Sequence, residues 1–180
     1  MTITQSAVRE ALWPENLPSR MNVYAILDGA RDKRIFEAVL RTYQEKCCLF
    51  AGDLPWQVEQ AAPHLVQLDP DEALTRVVCQ QGWGNAWGIF LRTETSFVRL
   101  RKHLRRFLRV RDERGKWMLF RYYDPRVMRI YLPTCNAHEL ETVFGPIDTF
   151  VVEDAGAVRA LEYRMERNKL KITEVPLPTA

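Results

Sequence analysis

Side chains that could serve as nucleophiles, bases or metal ligands are few and scattered along this sequence. The serines are Ser6, Ser19 and Ser96, and none lies in a G-x-S-x-G motif, which would expose a catalytic serine on a sharp turn. His64 and the other two histidines lack the H-E-x-x-H spacing that places two zinc ligands on one helical face. We therefore predict no catalytic serine and no metal site.

The cysteines offer equally little chemistry. They are Cys47, Cys48, Cys79 and Cys135, and no two of them form a C-x-x-C pair. Free cysteine behaves as a small apolar residue in most cores, so we predict buried, reduced thiols. Cys47 could form a thiol nucleophile with a distant histidine, so a hydrolase is a third possible function. However, Cys47 lies in a predicted apolar strand, where a thiolate is disfavoured.

No motif for a nucleotide or another cofactor is complete. The sequence has no P-loop, and Gly82-Trp83-Gly84 has only two of the glycines of a G-x-G-x-x-G motif. The bulky Trp83 would keep the backbone away from a pyrophosphate. We predict no cofactor and expect that the chain is not an enzyme.

Positive charge is concentrated in one segment. Residues 99–111 contain seven Lys or Arg and no acid, which leaves 19 basic and 23 acidic residues elsewhere from totals of 26 and 23. Because such a patch can neutralise phosphates, a nucleic-acid-binding module using a basic helix over 96–111 is an alternative function. No aromatic stacking motif interleaves with these side chains, which favours a solvated face or an acidic protein partner. We select Arg101, Arg105 and Arg106 as exposed partner-binding residues.

A second candidate is the run Arg121-Tyr122-Tyr123-Asp124-Pro125-Arg126. In a structural interpretation Asp124 caps a helix, Pro125 is its first residue, and the arginines pair with nearby acids. In a recognition interpretation Arg121, Tyr123 and Arg126 contact a partner, since Tyr and Arg are enriched at binding hot spots. The residues themselves favour the structural interpretation, and we keep the second as a hypothesis.

The composition is that of a folded protein. The 180 residues are 47% hydrophobic and 27% charged, which suits one globular domain. The longest apolar runs, such as 23–27 and 87–91, are far shorter than the roughly 20 residues that cross a bilayer. The first 20 residues lack the apolar stretch of a secretory signal. We expect no membrane partner and a cytoplasmic location.

Hydrophobic periodicity predicts strands that alternate with helices in the first half of the chain. Strands are predicted over 23–27, 47–50, 64–68 and 87–92. A helix is predicted over 32–45, with these side chains facing the core: Ile35, Phe36, Val39, Leu40 and Tyr43. Asp69 is predicted to cap another helix, with Pro70 at its first position and Glu72 at its third, as in a capping box.

In the second half, Ser96 is predicted to cap the basic helix, and a hairpin to turn at 112–115. A small helical segment over 125–144 starts at Asp124, restarts at Asn136 with Glu139 and ends at Gly145. A strand over 147–152 precedes a terminal hairpin that turns at 167–168. The predicted fold class is α/β: a mixed sheet flanked by helices, with a small helical segment and a C-terminal β-hairpin.

The predicted organisation has three parts. They are an N-terminal extension over 1–21, a main domain over 22–152, and a C-terminal hairpin over 153–180 packed on the same domain. No internal repeat or low-complexity tract occurs, which disfavours solenoids and propellers.

An ordered set of motifs resembles the type VI secretion adaptor-chaperones, a family first catalogued as a domain of unknown function. The match rests on the following segments: 24–32 (YAILDGARD), Gly82-Trp83-Gly84, 87–92 (WGIFLR), 104–108 (LRRFL), 120–127 (FRYYDPRV) and Phe144-Gly145-Pro146. They cover roughly residues 22–152.

The resemblance implies a bacterial, non-catalytic protein with two partners. Such a protein binds one cognate toxic effector in the cytoplasm and promotes its loading onto the valine-glycine repeat spike protein. The family brings no catalytic residue with it. Residues before Met21 and after Glu153 lie outside the strongest matches, so we expect effector preference to lie there.

Overall fold

The computed structural model describes residues 3–179, which form helices packed on a seven-stranded sheet. The helices are α1 (Gln5–Leu12), α2 (Lys33–Arg41), α3 (Trp56–Gln60), α4 (Ala73–Val77), α5 (Phe97–Arg105), α6 (Pro125–Tyr131) and α7 (Ala137–Phe144). The strands are β1 (Asn22–Asp28), β2 (Lys46–Cys48), β3 (Pro63–Leu68), β4 (Gly88–Thr93), β5 (Arg109–Arg111), β6 (Trp117–Leu119), β7 (Thr149–Glu153), β8 (Arg159–Glu166) and β9 (Lys169–Pro176).

The large sheet has the order β2-β3-β1-β4-β7-β8-β9, and every pairing between its described strands is antiparallel. Strands β5 and β6 form a separate two-stranded sheet. The α/β fold and the C-terminal hairpin are confirmed, and that hairpin, β8–β9, extends the sheet beyond β7. A π-helical turn, Val78–Gly82, continues α4.

Alternation along β1 divides the core into two layers. Tyr24 and Ile26 point to the layer that contains buried side chains of α5, α6 and α7. Val23, Ala25 and Leu27 point to the opposite layer, which contains buried side chains of α1, α2 and α4. The sheet is therefore covered by helices on both faces, as the sequence predicts.

Two of the predicted helix starts are confirmed by their caps. The Asp124 carboxylate accepts the backbone N–H of Arg126 at 2.9 Å, and Pro125 is the first residue of α6. Asn136 and Glu139 form a reciprocal capping box at the start of α7. Ser96 precedes α5 as predicted, but its hydroxyl makes no capping hydrogen bond.

The predicted start of the helix after β3 is wrong. α4 begins at Ala73, and its cap is Glu72, whose carboxylate accepts the N–H of Leu74 at 3.3 Å. Asp69 instead accepts the N–H of Asp71 at 2.9 Å. A short acidic side chain can close such a local turn as readily as it caps a helix, so the chain makes one more turn before α4 begins.

The predicted end of α2 is also wrong, since the helix stops at Arg41. Thr42 leaves the helical conformation with ψ 145°, and its hydroxyl donates to Glu72 at 2.7 Å. Tyr43 therefore lies beyond the helix and is exposed, as is Leu40 at the margin of the apolar face. Neither side chain belongs to the core.

Both ends of the chain pack into the same body as the central strands. Val8 and Leu12 of α1 are fully buried. The buried guanidinium of Arg92, in β4, donates to the carbonyl oxygens of Ala11 and Leu12 and pairs with Glu162 of β8 at 2.8 Å. Among residues 3–179, no helix is long and apolar enough to cross a membrane.

Candidate functional site

Three strand ends lie side by side at one end of the large sheet. β1 finishes at Asp28, β4 begins at Gly88, and β7 finishes at Glu153. Because β4 is antiparallel to both neighbours, its start lies beside the ends of β1 and β7. The loop before α6 and α6 itself add arginines there. We call the resulting group of side chains the charged cluster: Asp28, Arg121, Asp124, Arg126, Arg129 and Glu153.

Asp28 is the most deeply buried acid of the charged cluster. Its side chain is 1% exposed, accepts the N–H of Ala30 at 3.2 Å and pairs with the guanidinium of Arg121. The hydrogen bond with Asp28 raises the pKa of Arg121. A buried carboxylate is tolerated only with such partners, so the pair ties β1 to the loop before α6.

The glycine after Asp28 is required by the same turn. The Gly29 N–H donates to the carbonyl of Ala62 at 3.1 Å. A Cβ atom at position 29 would lie 2.2 Å from the carbonyl oxygen of Gln60, which is closer than real Cβ contacts allow. At Asp28-Gly29 the chain therefore places a buried acid next to a glycine whose backbone packs closely against residues 60–62.

Asp124 combines a helix cap with an ion pair. Its carboxylate accepts the Arg126 backbone N–H and also two guanidinium donors of Arg126, at 2.9 and 2.6 Å. Burial opposes ionisation, but the hydrogen bonds from Arg126 outweigh it and lower the pKa of Asp124. The structural interpretation of this segment is therefore confirmed, and the capping residue also orients an arginine whose side chain is 51% exposed. The recognition interpretation stays a prediction.

Glu153 holds the glycine-rich turn before β4. Its carboxylate accepts the backbone N–H groups of Gly84 at 2.6 Å and Ala86 at 3.0 Å. Both residues have positive φ, 83° and 53°, which glycine adopts freely but which is strained for Ala86, so this carboxylate supports a turn with a strained residue. Burial raises the pKa of Glu153, although the two N–H groups and the Arg129 charge oppose that rise. Sequence reasoning missed Glu153, because its partners lie some 70 residues earlier.

The six residues selected from the sequence do not form one surface. Arg121 and Arg126 lie in the charged cluster, with 40% and 51% of their side chains exposed. Tyr123 lies there too, but it is buried and offers no surface to a partner. Burial, followed by the charge of Asp28, raises its pKa to about 12. We assign Tyr123 a supporting role beside Asp28.

The other three selected residues are on the basic segment, and only Arg106 is fully exposed. The prediction that Arg101 and Arg105 are exposed is wrong, because both are partly buried. Arg105 donates through Nη2 to the carbonyls of Cys48 at 3.0 Å and Phe50 at 3.3 Å. Its guanidinium thus supports the loop after β2 instead of being free in solvent.

The exposed cations of α5 surround a shallow depression of about 320 Å³. It is lined by Arg99, Lys102, His103, Arg106, Gly145 and Pro146. The His103 ring is buried, with Nε2 2.9 Å from the carbonyl oxygen of Val143, and burial lowers its pKa. The histidine therefore packs as a neutral ring, and the positive charge comes from the surrounding Lys and Arg.

A larger surface feature, which sequence reasoning missed, lies between β5–β6 and the loop after β2. We call it the hairpin groove: a space of about 580 Å³ lined mainly by Leu49, Phe50, Leu54, Arg109, Trp117 and Leu119. The sequence feature that could have predicted this groove is the apolar run Trp117-Met118-Leu119. Three successive apolar residues in an isolated two-stranded hairpin have no second layer to cover them.

The charged cluster and the hairpin groove lie at the same end of the sheet. Asp28 is paired with Pro63, and the N–H of Leu49 donates to the carbonyl of Pro63 at 2.9 Å. Leu49, Pro63 and Asp28 are therefore neighbours across the strands. Only one residue separates Leu119 in the groove from Arg121 in the cluster, so the two features are also adjacent in the chain.

The charged groups and thiols of the described residues are mostly held in forms that react poorly. The cluster's carboxylates are each engaged by arginine or backbone donors. Burial raises the pKa of Cys47 to about 11 and that of Cys79 to about 12, so neither thiol ionises readily. Within residues 3–179, no group of three His, Cys, Asp or Glu side chains could hold a metal ion.

Comparison with known proteins gives a family but no individual relative. No curated protein matches the chain, and no solved structure matches it. One family model, described as "Domain of unknown function (DUF4123)", matches residues 23–142. That range is two thirds of the chain and includes β1 with Asp28, the glycine-rich turn and the Arg121–Arg126 segment. On this match, the chain belongs to the DUF4123 family.

Proposed function

We propose that this protein is a non-catalytic adaptor-chaperone of a bacterial type VI secretion system. It binds a cognate toxic effector in the cytoplasm and promotes the loading of that effector onto the valine-glycine repeat spike protein. The proposal joins the family resemblance in the sequence to the chemistry of the surface at the sheet end.

One observation carries the proposal. Three of the motifs that resemble the adaptor-chaperones, at 24–32, 82–84 and 120–127, lie together at the sheet end, where acids hold arginines and a turn in place. Asp28 fixes Arg121, Asp124 fixes Arg126, and Glu153 fixes the turn at Gly84. A rigid display of arginines beside exposed aromatic and aliphatic side chains suits recognition of a protein, because binding hot spots are rich in Arg and aromatic residues.

Deletion of the gene tests this function. We expect secretion of one effector to fall while the apparatus continues to deliver its other effectors. Complementation with the parent gene should restore delivery, and co-purification should recover a complex with the affected effector. Undiminished delivery of every effector in the deletion strain would contradict the proposal.

Nucleic-acid binding is the second candidate, and the exposed Arg99, Lys102 and Arg106 favour it. Salt titrations of binding to DNA, RNA and the cognate effector separate the two functions, using the parent and a variant with these three residues changed to Gln. Arg105 is left intact because it supports the loop after β2. We expect weak, nonspecific binding to nucleic acid and a slower, less salt-dependent association of the variant with the effector. Sequence-selective, submicromolar binding of DNA or RNA would favour the second candidate instead.

A further inference from the structure

The hairpin groove exposes an unusual amount of apolar surface. Trp117, Met118 and Leu119 are 50%, 47% and 49% exposed, although they are consecutive residues of one strand. The facing wall adds the partly exposed Phe50 and Leu54. Neighbouring apolar side chains left open to water in this way are typical of surfaces that a partner covers.

The arginines that line or flank the groove are held in place and form no ion pair among residues 3–179. The guanidinium groups of Arg109 and Arg111 lie over the Trp117 ring at 5.0 and 4.5 Å from its centroid. Neither side chain forms an ion pair with any of residues 3–179. In the same groove, the buried Nε of Arg105 has no hydrogen-bond acceptor among those residues. The charge of the groove is complementary to carboxylates.

The backbone of β6 is open on one side. Asp112 donates to Lys116, and Phe120 donates to Leu108, so the pairs 112/116, 110/118 and 108/120 are the hydrogen-bonded ones. The N–H and C=O groups of Trp117 and Leu119 consequently point away from β5. Within the described residues, 3–179, no third strand pairs with β6. An extended peptide can pair with such an edge through its main chain.

We propose that the hairpin groove binds an extended segment of the effector in which acidic and apolar residues alternate, paired with β6 as a third strand. This inference rests on the proposed function and names the chemistry of the effector segment. Arg109 and Arg111 pair with Leu119 and Trp117, so these four side chains share one face of the hairpin, and Met118 lies on the other face. Successive side chains of the bound strand point to opposite faces, so its acidic set meets Arg109 and Arg111 while its apolar set lies beside Met118.

Binding of a defined probe tests the groove directly. The probe is a short fluorescent peptide of alternating glutamate and leucine, compared with the same peptide carrying lysine in place of glutamate. Fluorescence anisotropy is measured with the full chain. Two double variants are compared with the parent: Arg109→Gln/Arg111→Gln in the groove, and Arg114→Gln/Lys116→Gln in the turn of the same hairpin. Each removes two positive charges from exposed positions, so thermal unfolding should show that both fold.

We expect the acidic peptide to bind the parent and the turn variant alike, and the groove variant at least about tenfold more weakly, as for loss of a charge-paired contact. Bound peptide should slow hydrogen exchange at the N–H groups of Trp117 and Leu119. Equal weakening in both variants, equal binding of the lysine peptide, or unchanged exchange at these two amides would overturn the inference.

Secretion assays distinguish a failure of this inference from a failure of the proposed function. If gene deletion stops delivery of an effector while a strain carrying Arg109→Gln/Arg111→Gln delivers it normally, the groove is not the effector site and the adaptor function stands. If the acidic peptide binds as expected while gene deletion affects no effector, the groove chemistry is supported and the adaptor function fails.

Discussion

At the scale of single residues, the sheet end is organised by acids that neutralise and orient arginines. Asp124 is the clearest case, because one carboxylate both caps α6 and binds the guanidinium of Arg126. Asp28 acts in the same way on Arg121 from a fully buried position. Loss of either acid would leave an arginine of the charged cluster without its anionic partner.

Asp124→Ala should lower the free energy of unfolding by about 1–2 kcal/mol, because it removes a helix cap. Asp124→Asn is the matched control, since asparagine caps helices nearly as well but lacks the charge that holds Arg126. Urea unfolding monitored by circular dichroism measures both. An unchanged stability of Asp124→Ala, combined with lost partner binding, would assign Asp124 to recognition alone.

The pH dependence of stability should carry the signature of the same carboxylate. In the folded protein the pKa of Asp124 lies below its ordinary value of 3.8, so ionisation of this carboxylate stabilises the fold. The stabilisation is fully present above pH 3.8 and is lost as the pH falls through the pKa of the folded state. The stability gap between the parent and Asp124→Asn should therefore narrow in strong acid. Glu153 has a raised pKa in the folded state, so its effect on the pH dependence of stability has the opposite sign. Because both proteins contain Glu153, this effect largely cancels from the difference in stability between them. A gap that stays constant down to pH 2 would contradict this account.

At the scale of elements, Arg92 is the residue that joins both chain ends to the central sheet. From β4 it reaches the carbonyl oxygens at the end of α1 and the carboxylate of Glu162 in β8. The carbonyls at a helix C-terminus have no partner within the helix, so a buried cation is well suited to this position. The Arg92 side chain therefore donates hydrogen bonds to the last carbonyl oxygens of α1 and also holds the terminal hairpin through Glu162.

Arg92→Leu should lower the free energy of unfolding by about 3–5 kcal/mol, since it leaves a largely buried carboxylate without its closer cation and two helix-end carbonyls without their donor. Arg164→Gln is the matched control, because Arg164 approaches the same Glu162 at 3.5 Å but its side chain is 42% exposed. An exposed pair of this kind contributes roughly 0.2–1 kcal/mol. Similar losses in the two variants, measured by urea unfolding, would show that Arg92 does not have the joining role.

At the scale of the whole molecule, helices from distant parts of the chain cover each face of one sheet. α5, α6 and α7 cover the face that bears Tyr24, and α1, α2 and α4 cover the other. The segment before β1 and the terminal hairpin contribute to this body, although the family match spans only 23–142. Effector preference, if it lies in these segments, must therefore involve their exposed side chains.

Leu12→Ala tests whether α1 is part of the cooperative unit. Leu12 is fully buried, so we expect a loss of about 2–5 kcal/mol in the free energy of unfolding. Glu10→Gln, at an exposed position of the same helix, should change stability little. Differential scanning calorimetry should show one lowered transition for Leu12→Ala. A separate early transition, with the main one unmoved, would show that α1 unfolds independently.

Local sequence determined the identity of most elements. The caps at Asp124 and Asn136 depend on bonds between residues two or three positions apart, and the alternation in β1 depends on neighbours within one strand. Of the two errors in helix bounds, the one at Asp69 was a local competition, whereas the one at Thr42 involves Glu72, 30 positions later in the chain. Asp69 closes a turn instead of capping α4, and Thr42 ends α2 through its bond to Glu72.

The tertiary structure decided which residues form the surface. Asp28 and Arg121 are 93 positions apart, Arg92 lies 80 positions from Leu12, and Glu153 lies 69 positions from Gly84. Hydrophobic periodicity reports only which face of an element is buried, and it carries no information on which distant element covers that face. The sequence therefore determined the helices, the strands and the charged motifs, whereas burial of Tyr123 and exposure of Trp117 followed only from the packing of elements far apart in the chain.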